Sequence, residues 1–149
     1  MIEVYTDGSC CGNGRREATG GFGVIVTEDG KIIDAYSKRA TGTTNNREEI
    51  KAILWALLNY GKANEEVIVY SDSNYCVQMF NDWMFKWARN AWVKSDKKVP
   101  ENLDLIHAYY DTLNAGYKIN LKKVKGHAGN KYNELADGLA TGKVKPQNG

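Results

Sequence analysis

Two short stretches of the chain have nearly the same sequence, and in each an aspartate precedes a turn residue. Val4–Gly8 reads VYTDG and Val69–Ser73 reads VYSDS. A run of β-branched and aromatic residues that ends in an aspartate is typical of a buried strand that places a carboxylate at the rim of a sheet. If the two strands are parallel neighbours in equal register, Asp7 and Asp72 lie about 4.8 Å apart. Carboxylates that close repel each other and commonly bind a divalent cation; the alternative is that each aspartate only caps a turn.

The elements that must position these aspartates alternate between strands and helices. The patterns predict strands at 2–7, 22–28, 31–37, 67–71 and 118–124, and helices at 46–60, from about 74, at 101–114 and at 130–141. An Asp-Gly pair at 29–30 predicts a hairpin between the second and third strands. This order indicates an α/β fold, a mixed sheet with helices packed on it. We expect one domain over residues 1–141 and a disordered tail over 142–149.

The helix predicted at 46–60 offers a third acidic residue. Its apolar stripe consists of Ile50, Ile53, Leu54, Leu57 and Leu58. Glu49 lies at the edge of the stripe and can face a site along the sheet, whereas Glu48 is expected to point outward. Glu48 also follows Asn45 by three residues, which is the spacing of a capping box. We therefore interpret Glu49 as functional and Glu48 as a cap or solvent residue.

The charges of the chain are distributed unevenly although the net charge is only +2. The segment 83–98 contains five Lys/Arg residues and one acid, and the segment 118–131 contains five lysines and no acid. An acidic remainder with two basic segments indicates a polyanion that is held at defined places. Solvated surface lysines are the alternative for either segment alone.

Composition excludes several classes of protein. The three cysteines have no disulfide-framework or metal-ligand spacing, which favours a reducing compartment. No run of 18 apolar residues and no basic-then-apolar leader occurs in the sequence. We expect a cytoplasmic protein that does not bind a membrane.

Six blocks of the sequence, taken together, resemble type 1 ribonuclease H, the hybrid-specific endonucleases. In family order they are YTDGS (5–9), GGFG (20–23), TTNNREE (43–49), YSDS (70–73), KGH (125–127) and NELAD (133–137). The loop after Asp7 departs from the family pattern because it is longer and lacks the usual proline. The resemblance implies the ribonuclease H-like fold, a five-stranded mixed sheet flanked by helices, with a basic protrusion at about 83–99.

The resemblance also implies a catalytic carboxylate tetrad that consists of Asp7, Glu49, Asp72 and Asp137. Two Mg²⁺ ions, or Mn²⁺ as a substitute, would be bound there, with Asp7 bridging both. The implied reaction is hydrolysis of the RNA strand of an RNA/DNA hybrid, leaving 5′-phosphate and 3′-hydroxyl ends. His127 would assist with proton transfer or product release, although a lone loop histidine is usually a surface residue. Asp137 lies off the apolar stripe of its helix, so spacing alone does not make it catalytic.

Substrate contacts are implied in the same way. Positions that match the family's contacts to the hybrid are Gly8, Ser9, Cys10, Asn13, Thr44, Asn45, Asn46, Asn74, Trp83, Trp87, Lys97 and Lys98. Thr44 and Asn13 resemble the pocket for a phosphate of the DNA strand, and the last four belong to the basic protrusion. Local roles compete with these assignments, since asparagines cap helices or form turns and tryptophans pack helices.

The expected partner is an RNA/DNA hybrid, with no obligate protein partner, and the protein is expected to be a monomer. Three alternatives are another nuclease of the same fold, a non-cleaving nucleic-acid-binding module and a Mg²⁺-dependent phosphomonoesterase. A silent module predicts the loss of an acid from the tetrad, and none is missing. A small-molecule enzyme has little use for a Trp/Lys segment. We therefore expect an endoribonuclease.

Overall fold

A five-stranded mixed sheet organises the computed structural model, which describes residues 1–12, 17–124 and 130–143. In chain order the strands are β1 (Ile2–Cys11), β2 (Thr19–Glu28), β3 (Lys31–Thr41), β4 (Val67–Ser71) and β5 (Asn120–Lys123). Across the sheet the order is β3-β2-β1-β4-β5. The first three strands form an antiparallel meander, and β4 and β5 run parallel to β1. The predicted mixed sheet is confirmed.

Five helices accompany the sheet within the described residues. They are α1 (Asn45–Tyr60), α2 (Asn74–Gln78), α3 (Met84–Arg89), α4 (Leu103–Asn114) and α5 (Lys131–Thr141), with a π-helical turn, Met79–Trp83, joining α2 to α3. Thr44 caps α1 by accepting a hydrogen bond from the Arg47 backbone N–H, and Asn130 caps α5 in the same manner. No helix in these ranges is both long and apolar enough to cross a bilayer.

The first two strands are longer than the sequence pattern predicts. Pairing of β1 with β2 continues past Asp7 as far as Cys11 opposite Thr19. These extensions contain small and polar residues rather than alternating apolar ones, so their pattern does not indicate a strand. They are extended because they pair with each other, which is a tertiary effect.

The hydrophobic core lies on both faces of the sheet. Ile50, Ile53 and Leu57 of α1 are fully buried against one face. On the other face, Ala136 and Leu139 of α5 pack against Tyr5 and Ile25 of the strands, which share a second cluster with them. The predicted stripe on α1 is wrong at Leu58, which is 51% exposed because it faces a shallow cleft between α1 and β3.

Phe80 connects the π-helical turn to α4 and is expected to be essential to the core. The side chain is 2% exposed and stacks on Tyr109 with ring centroids 4.0 Å apart. Phe80→Ala should lower the free energy of unfolding by about 3–5 kcal/mol because it leaves a cavity. Urea denaturation measures this change. Phe85→Ala is the matched control, since Phe85 is 37% exposed and its loss should cost about 1 kcal/mol or less. Equal losses in the two variants would contradict the packing described here.

Candidate active site

Asp7 and Asp72 each lie two residues beyond the last residue pair, Tyr5 and Tyr70, of two adjacent parallel strands. β1 and β4 pair with Val4 opposite Val69 and Tyr5 opposite Tyr70. The equal register that the repeated sequence predicts is therefore confirmed. Because the register is equal, the two aspartates lie at the same level, Asp7 within β1 and Asp72 just after β4.

Glu49 reaches this pair because α1 approaches β1 closely at Gly8. A Cβ atom on Gly8 would lie 2.5 Å from the Glu48 carbonyl carbon and 2.8 Å from the Glu49 Cα, so only glycine fits there. The Gly8 backbone N–H donates a hydrogen bond to the Glu49 carboxylate. One carboxylate oxygen from each of Asp7, Glu49 and Asp72 lies within 4.8 Å of the other two. We call these three residues the acidic cluster.

Asp137 approaches the acidic cluster from the opposite side, on α5. Gly23 of β2 pairs with Asp7, and a Cβ at Gly23 would lie 2.5 Å from the Leu139 Cβ. The helix therefore rests directly on the strand beside Asp7. Asp137 is outside the set of three that share the 4.8 Å limit, but it forms a side-chain hydrogen bond with Asp7. All four predicted acids thus lie close together beside the central strand β1.

Burial and mutual repulsion perturb the two least exposed acids. Asp7 is 6% exposed and Glu49 is 8% exposed. Burial, followed by the charge of Glu49, raises the pKa of Asp7 from 3.8 to about 10. Burial, followed by the charge of Asp72, raises the pKa of Glu49 from 4.5 to about 8, against the effect of the Gly8 hydrogen bond. Both carboxyl groups therefore bind protons strongly when nothing else neutralises the site.

The donor set of the acidic cluster fits a hard divalent cation. Every candidate ligand is a carboxylate oxygen, the donor type that Mg²⁺ prefers. In addition, Glu49 Oε2 is buried and has no hydrogen-bond partner among the described residues. A buried oxygen without a partner is costly in a carboxylate that lies close to two others, and a cation would reduce this cost. The arrangement can therefore bind a metal ion beside Asp7 of β1.

The predicted outward orientation of Glu48 is wrong. Its side chain is 0% exposed, and its Oε2 atom accepts a 2.6 Å hydrogen bond from Thr43 Oγ1 and pairs with Lys51 Nζ at 2.8 Å. Nor does Glu48 form a capping box with Asn45, because the N-cap residue is Thr44. The helical periodicity does not reveal that the chain before α1 folds back and supplies Thr43 as a partner, which allows the carboxylate to be buried.

The polar residues predicted to contact substrate flank the acidic cluster along the chain. Gly8, Ser9 and Cys10 continue β1 beyond Asp7 and are half-buried. Thr44, Asn45 and Asn46 form the start of α1 just before Glu49, and Asn74 begins α2 two residues after Asp72. Asn13 and His127 lie outside the described residues.

Trp83 and Trp87 line a cleft of about 780 Å³ beside the start of α1. Their ring centroids are 6.4 Å apart, and both side chains also pack against the core. The other polar or aromatic lining residues include Asn46, Tyr75, Lys86, Asn90 and Lys94. We call this the tryptophan cleft. Lys97 and Lys98 are not part of its lining and lie exposed on the following turn.

Three lining residues of the tryptophan cleft, Lys86, Asn90 and Lys94, are not among the site residues predicted from the sequence. Lys86 and Asn90 follow Trp83 by three and seven residues, which is the spacing of one helical face, so the signal was present in the sequence. Lys94 comes after the helix has ended, and its place in the cleft depends on the turn that includes Ala91 and Trp92, both with positive φ. No local pattern indicates that turn.

Comparison with known proteins identifies a family. The family RNase H matches residues 1–145. Ribonuclease H of Thermoanaerobacter sp. (strain X514) is 40% identical over 148 residues, covering 97% of this chain and 90% of that protein. The crystal structure of LC9-RNase H1, a type 1 RNase H with the type 2 active-site motif, is 32% identical with a TM-score of 0.79, covering 99% of this chain and 75% of that one. A foamy viral protease-reverse transcriptase in complex with RNA/DNA hybrid shares the fold (TM-score 0.83, 22% identity, 93% of this chain and 19% of that one).

The raised pKa values predict how the stability of the metal-free protein depends on pH. The folded state retains protons on Asp7 and Glu49 at pH values where the unfolded chain has lost them. The stabilising contribution of each proton is therefore fully present below the ordinary pKa of its group, 3.8 for Asp7 and 4.5 for Glu49. It is lost as pH rises toward the folded-state pKa, about 10 for Asp7 and about 8 for Glu49. Because the two groups interact, each lowers the free energy of unfolding by at most about 1.4 kcal/mol per pH unit. Thermal unfolding in EDTA between pH 5 and pH 9 measures the slope.

Asp7→Asn tests whether this slope arises in the acidic cluster. The variant removes one titrating group, and with it the cost of retaining a proton on Asp7 at pH values where the unfolded chain has lost it. Its melting temperature should therefore depend less on pH and exceed that of the parent protein at pH 8. Asp111→Asn is the control, because Asp111 is exposed on α4. Identical slopes in all three proteins would show that the acidic cluster does not control the pH dependence.

Proposed function

Because the chain belongs to the ribonuclease H family, we propose that it is a metal-dependent endoribonuclease that cuts the RNA strand of RNA/DNA hybrids. Family membership makes the protein a nuclease. The proposal of metal-dependent cleavage rests on the acidic cluster, whose three carboxylates have oxygens within 4.8 Å of one another. Asp137 adds a fourth acid, which forms a hydrogen bond with Asp7. We place the catalytic unit at residues 1–141 and expect it to act as a monomer.

The four acids would hold two Mg²⁺ ions, for which Mn²⁺ could substitute. By the family's pattern Asp7 would contact both ions, Glu49 and Asp72 one of them, and Asp137 the other. When bound, such ions activate a water molecule, neutralise the phosphoryl charge and stabilise the leaving oxygen, which yields 5′-phosphate and 3′-hydroxyl ends.

The protein's own contribution is to hold these acids in place before the ions arrive. The Gly8 N–H orients the Glu49 carboxylate, and the close packing of α5 on β2 sets Asp137 beside Asp7. Preorganised ligands of this kind lower the cost of reaching the reactive arrangement. We further propose that His127 transfers a proton or assists the release of product.

Recognition of the hybrid would divide between two surfaces. The small and polar residues that follow Asp7 and precede Glu49 suit the shallow minor groove, where the RNA 2′-OH distinguishes RNA from DNA. Thr44, together with Asn13, would hold a phosphate of the DNA strand. The tryptophan cleft and the exposed turn with Lys97 and Lys98 would follow the backbone of that strand, because cations beside aromatic rings suit such contacts.

Substrate selectivity is the primary test of this proposal. One labelled sequence is presented as RNA/DNA hybrid, RNA duplex, DNA duplex and single-stranded RNA, with Mg²⁺ or with EDTA. Cleavage should be confined to the RNA of the hybrid and should require Mg²⁺. Binding of the hybrid without cleavage would instead identify a recognition module, and cleavage of the DNA duplex would indicate another nuclease of the same fold.

Asp7→Asn should separate cleavage from binding. We expect the cleavage rate to fall at least about a hundred-fold, because a shared metal ligand is lost, while hybrid affinity in EDTA changes little. Asp111→Asn should match the parent protein in both measurements. Full activity in Asp7→Asn would contradict the role assigned to the carboxylates.

The double variant Lys97→Ala, Lys98→Ala tests the exposed turn. Loss of two phosphate contacts should weaken hybrid binding and reduce the slope of log affinity against log salt by about 1.8. Lys31→Ala with Lys62→Ala is the control, since both lysines are exposed and lie far along the chain from the turn. An unchanged salt slope in the double variant of Lys97 and Lys98 would show that these lysines are solvated surface residues that do not contact the hybrid.

A further inference from the structure

We infer that Glu48 is a positioning residue whose buried carboxylate holds the segment Thr43–Asn46 in the conformation that binds the hybrid. This inference rests on the proposed function, because it assigns the segment to substrate binding. Glu48 is not one of the four acids assigned to the metal site, where the neighbouring residue Glu49 belongs.

Glu48 is buried in an unusual way for a glutamate. The whole residue is 0% exposed, and Thr43, which donates the 2.6 Å hydrogen bond to its Oε2 atom, is 3% exposed. Lys51 Nζ pairs with the same oxygen at 2.8 Å, while Oε1 has no partner among the described residues. A single oxygen therefore joins the residue before the N-cap of α1 to the first and second turns of the helix.

Thr43 in turn connects three elements. Its backbone oxygen accepts a hydrogen bond from Cys10 Sγ at 3.3 Å, which ties it to the end of β1. Its Cγ2 atom lies where a side chain at Gly20 of β2 would be, 2.8 Å from an ideal Cβ. The next residue, Thr44, begins α1, so fixing Thr43 also fixes the direction in which Thr44, Asn45 and Asn46 leave the sheet.

Stability alone does not account for a carboxylate at this position. Removal of a charge from water is costly, and replacement of a buried ion pair by an apolar side chain of similar size is often neutral or stabilising. A negative charge in this segment also does not favour the binding of a polyanion. What the carboxylate provides is a directed hydrogen bond to Thr43, which an apolar residue cannot provide.

Two substitutions that remove the same charge distinguish the hydrogen bond from electrostatics. Glu48→Leu abolishes the acceptor for Thr43, whereas Glu48→Gln keeps an acceptor of similar reach. We expect Glu48→Leu to raise KM for the hybrid about 3- to 10-fold with kcat nearly unchanged, and Glu48→Gln to recover most of the loss. If charge alone mattered, both variants would lower KM equally, because each removes a repulsive carboxylate.

The partner residue supplies an independent arm of the experiment. Thr43→Val removes the donor with little change of shape and should raise KM as Glu48→Leu does, and the two substitutions combined should add little further. Glu66→Gln, on an exposed glutamate, is the control for loss of charge and should shift KM less than twofold. Melting temperatures of all variants, measured alongside, separate loss of fold from loss of binding geometry.

The outcomes distinguish this inference from the proposed function. If the parent protein does not cleave the hybrid, the proposed function fails and the inference fails with it. If the parent protein cleaves the hybrid but Glu48→Leu and Thr43→Val leave KM unchanged, or Glu48→Gln behaves as Glu48→Leu does, the inference alone is overturned. Should Glu48→Leu not fold, the comparison of Thr43→Val with Glu48→Gln still decides it.

Discussion

Repulsion between buried carboxylates is the constraint on which the rest of this structure depends. Asp7, Glu49 and Asp72 place oxygens within 4.8 Å of one another, and two of these residues are less than a tenth exposed. In water such groups would separate or stay solvated. Here they are attached to β1, to the start of α1 and to the turn after β4, so their backbones stay close together as long as the sheet and α1 remain packed. The fold therefore stores an unfavourable interaction that a cation relieves.

Glycines make this convergence possible, because they allow backbones to approach more closely than side chains permit. Gly8 brings the first turn of α1 onto β1, and Gly23 brings α5 onto β2. In each case the close approach brings an acid to Asp7 of β1, Glu49 from one face of the sheet and Asp137 from the other. The polar site is thus supported on both faces of the sheet by the same apolar packing that buries Ile53 and Leu139.

Sequence patterns predicted the parts of the site that depend on local order along the chain. The repeat VYTDG/VYSDS predicted equal register because both strands end in the same way, and the periodicity of α1 selected Glu49. The resemblance was needed for Asp137, since its helix shows no signal beyond an off-stripe acid. The burial of Glu48 could not be predicted, because its partner Thr43 lies before the helix and folds back on it. The turn that carries Lys94 into the tryptophan cleft is equally a consequence of tertiary packing.

A site that is acidic enough to bind cations repels the polyanion that we propose as its substrate, and the charge distribution resolves this conflict by separation in space. The net charge is only +2, yet Lys86 and Lys94 line a cleft with two tryptophans, and none of the four acids is among the residues that line it. Attraction to a nucleic-acid backbone can therefore act at the cleft, while the proposed role of the acids is to bind metal ions at the scissile phosphate. Because Asn46 lines the cleft and lies at the start of the helix that carries Glu49, the start of α1 contributes to both. Its orientation sets how well a strand held in the cleft also fits the start of α1, which is why a buried hydrogen bond at Thr43 can matter to the binding of a substrate that it does not contact.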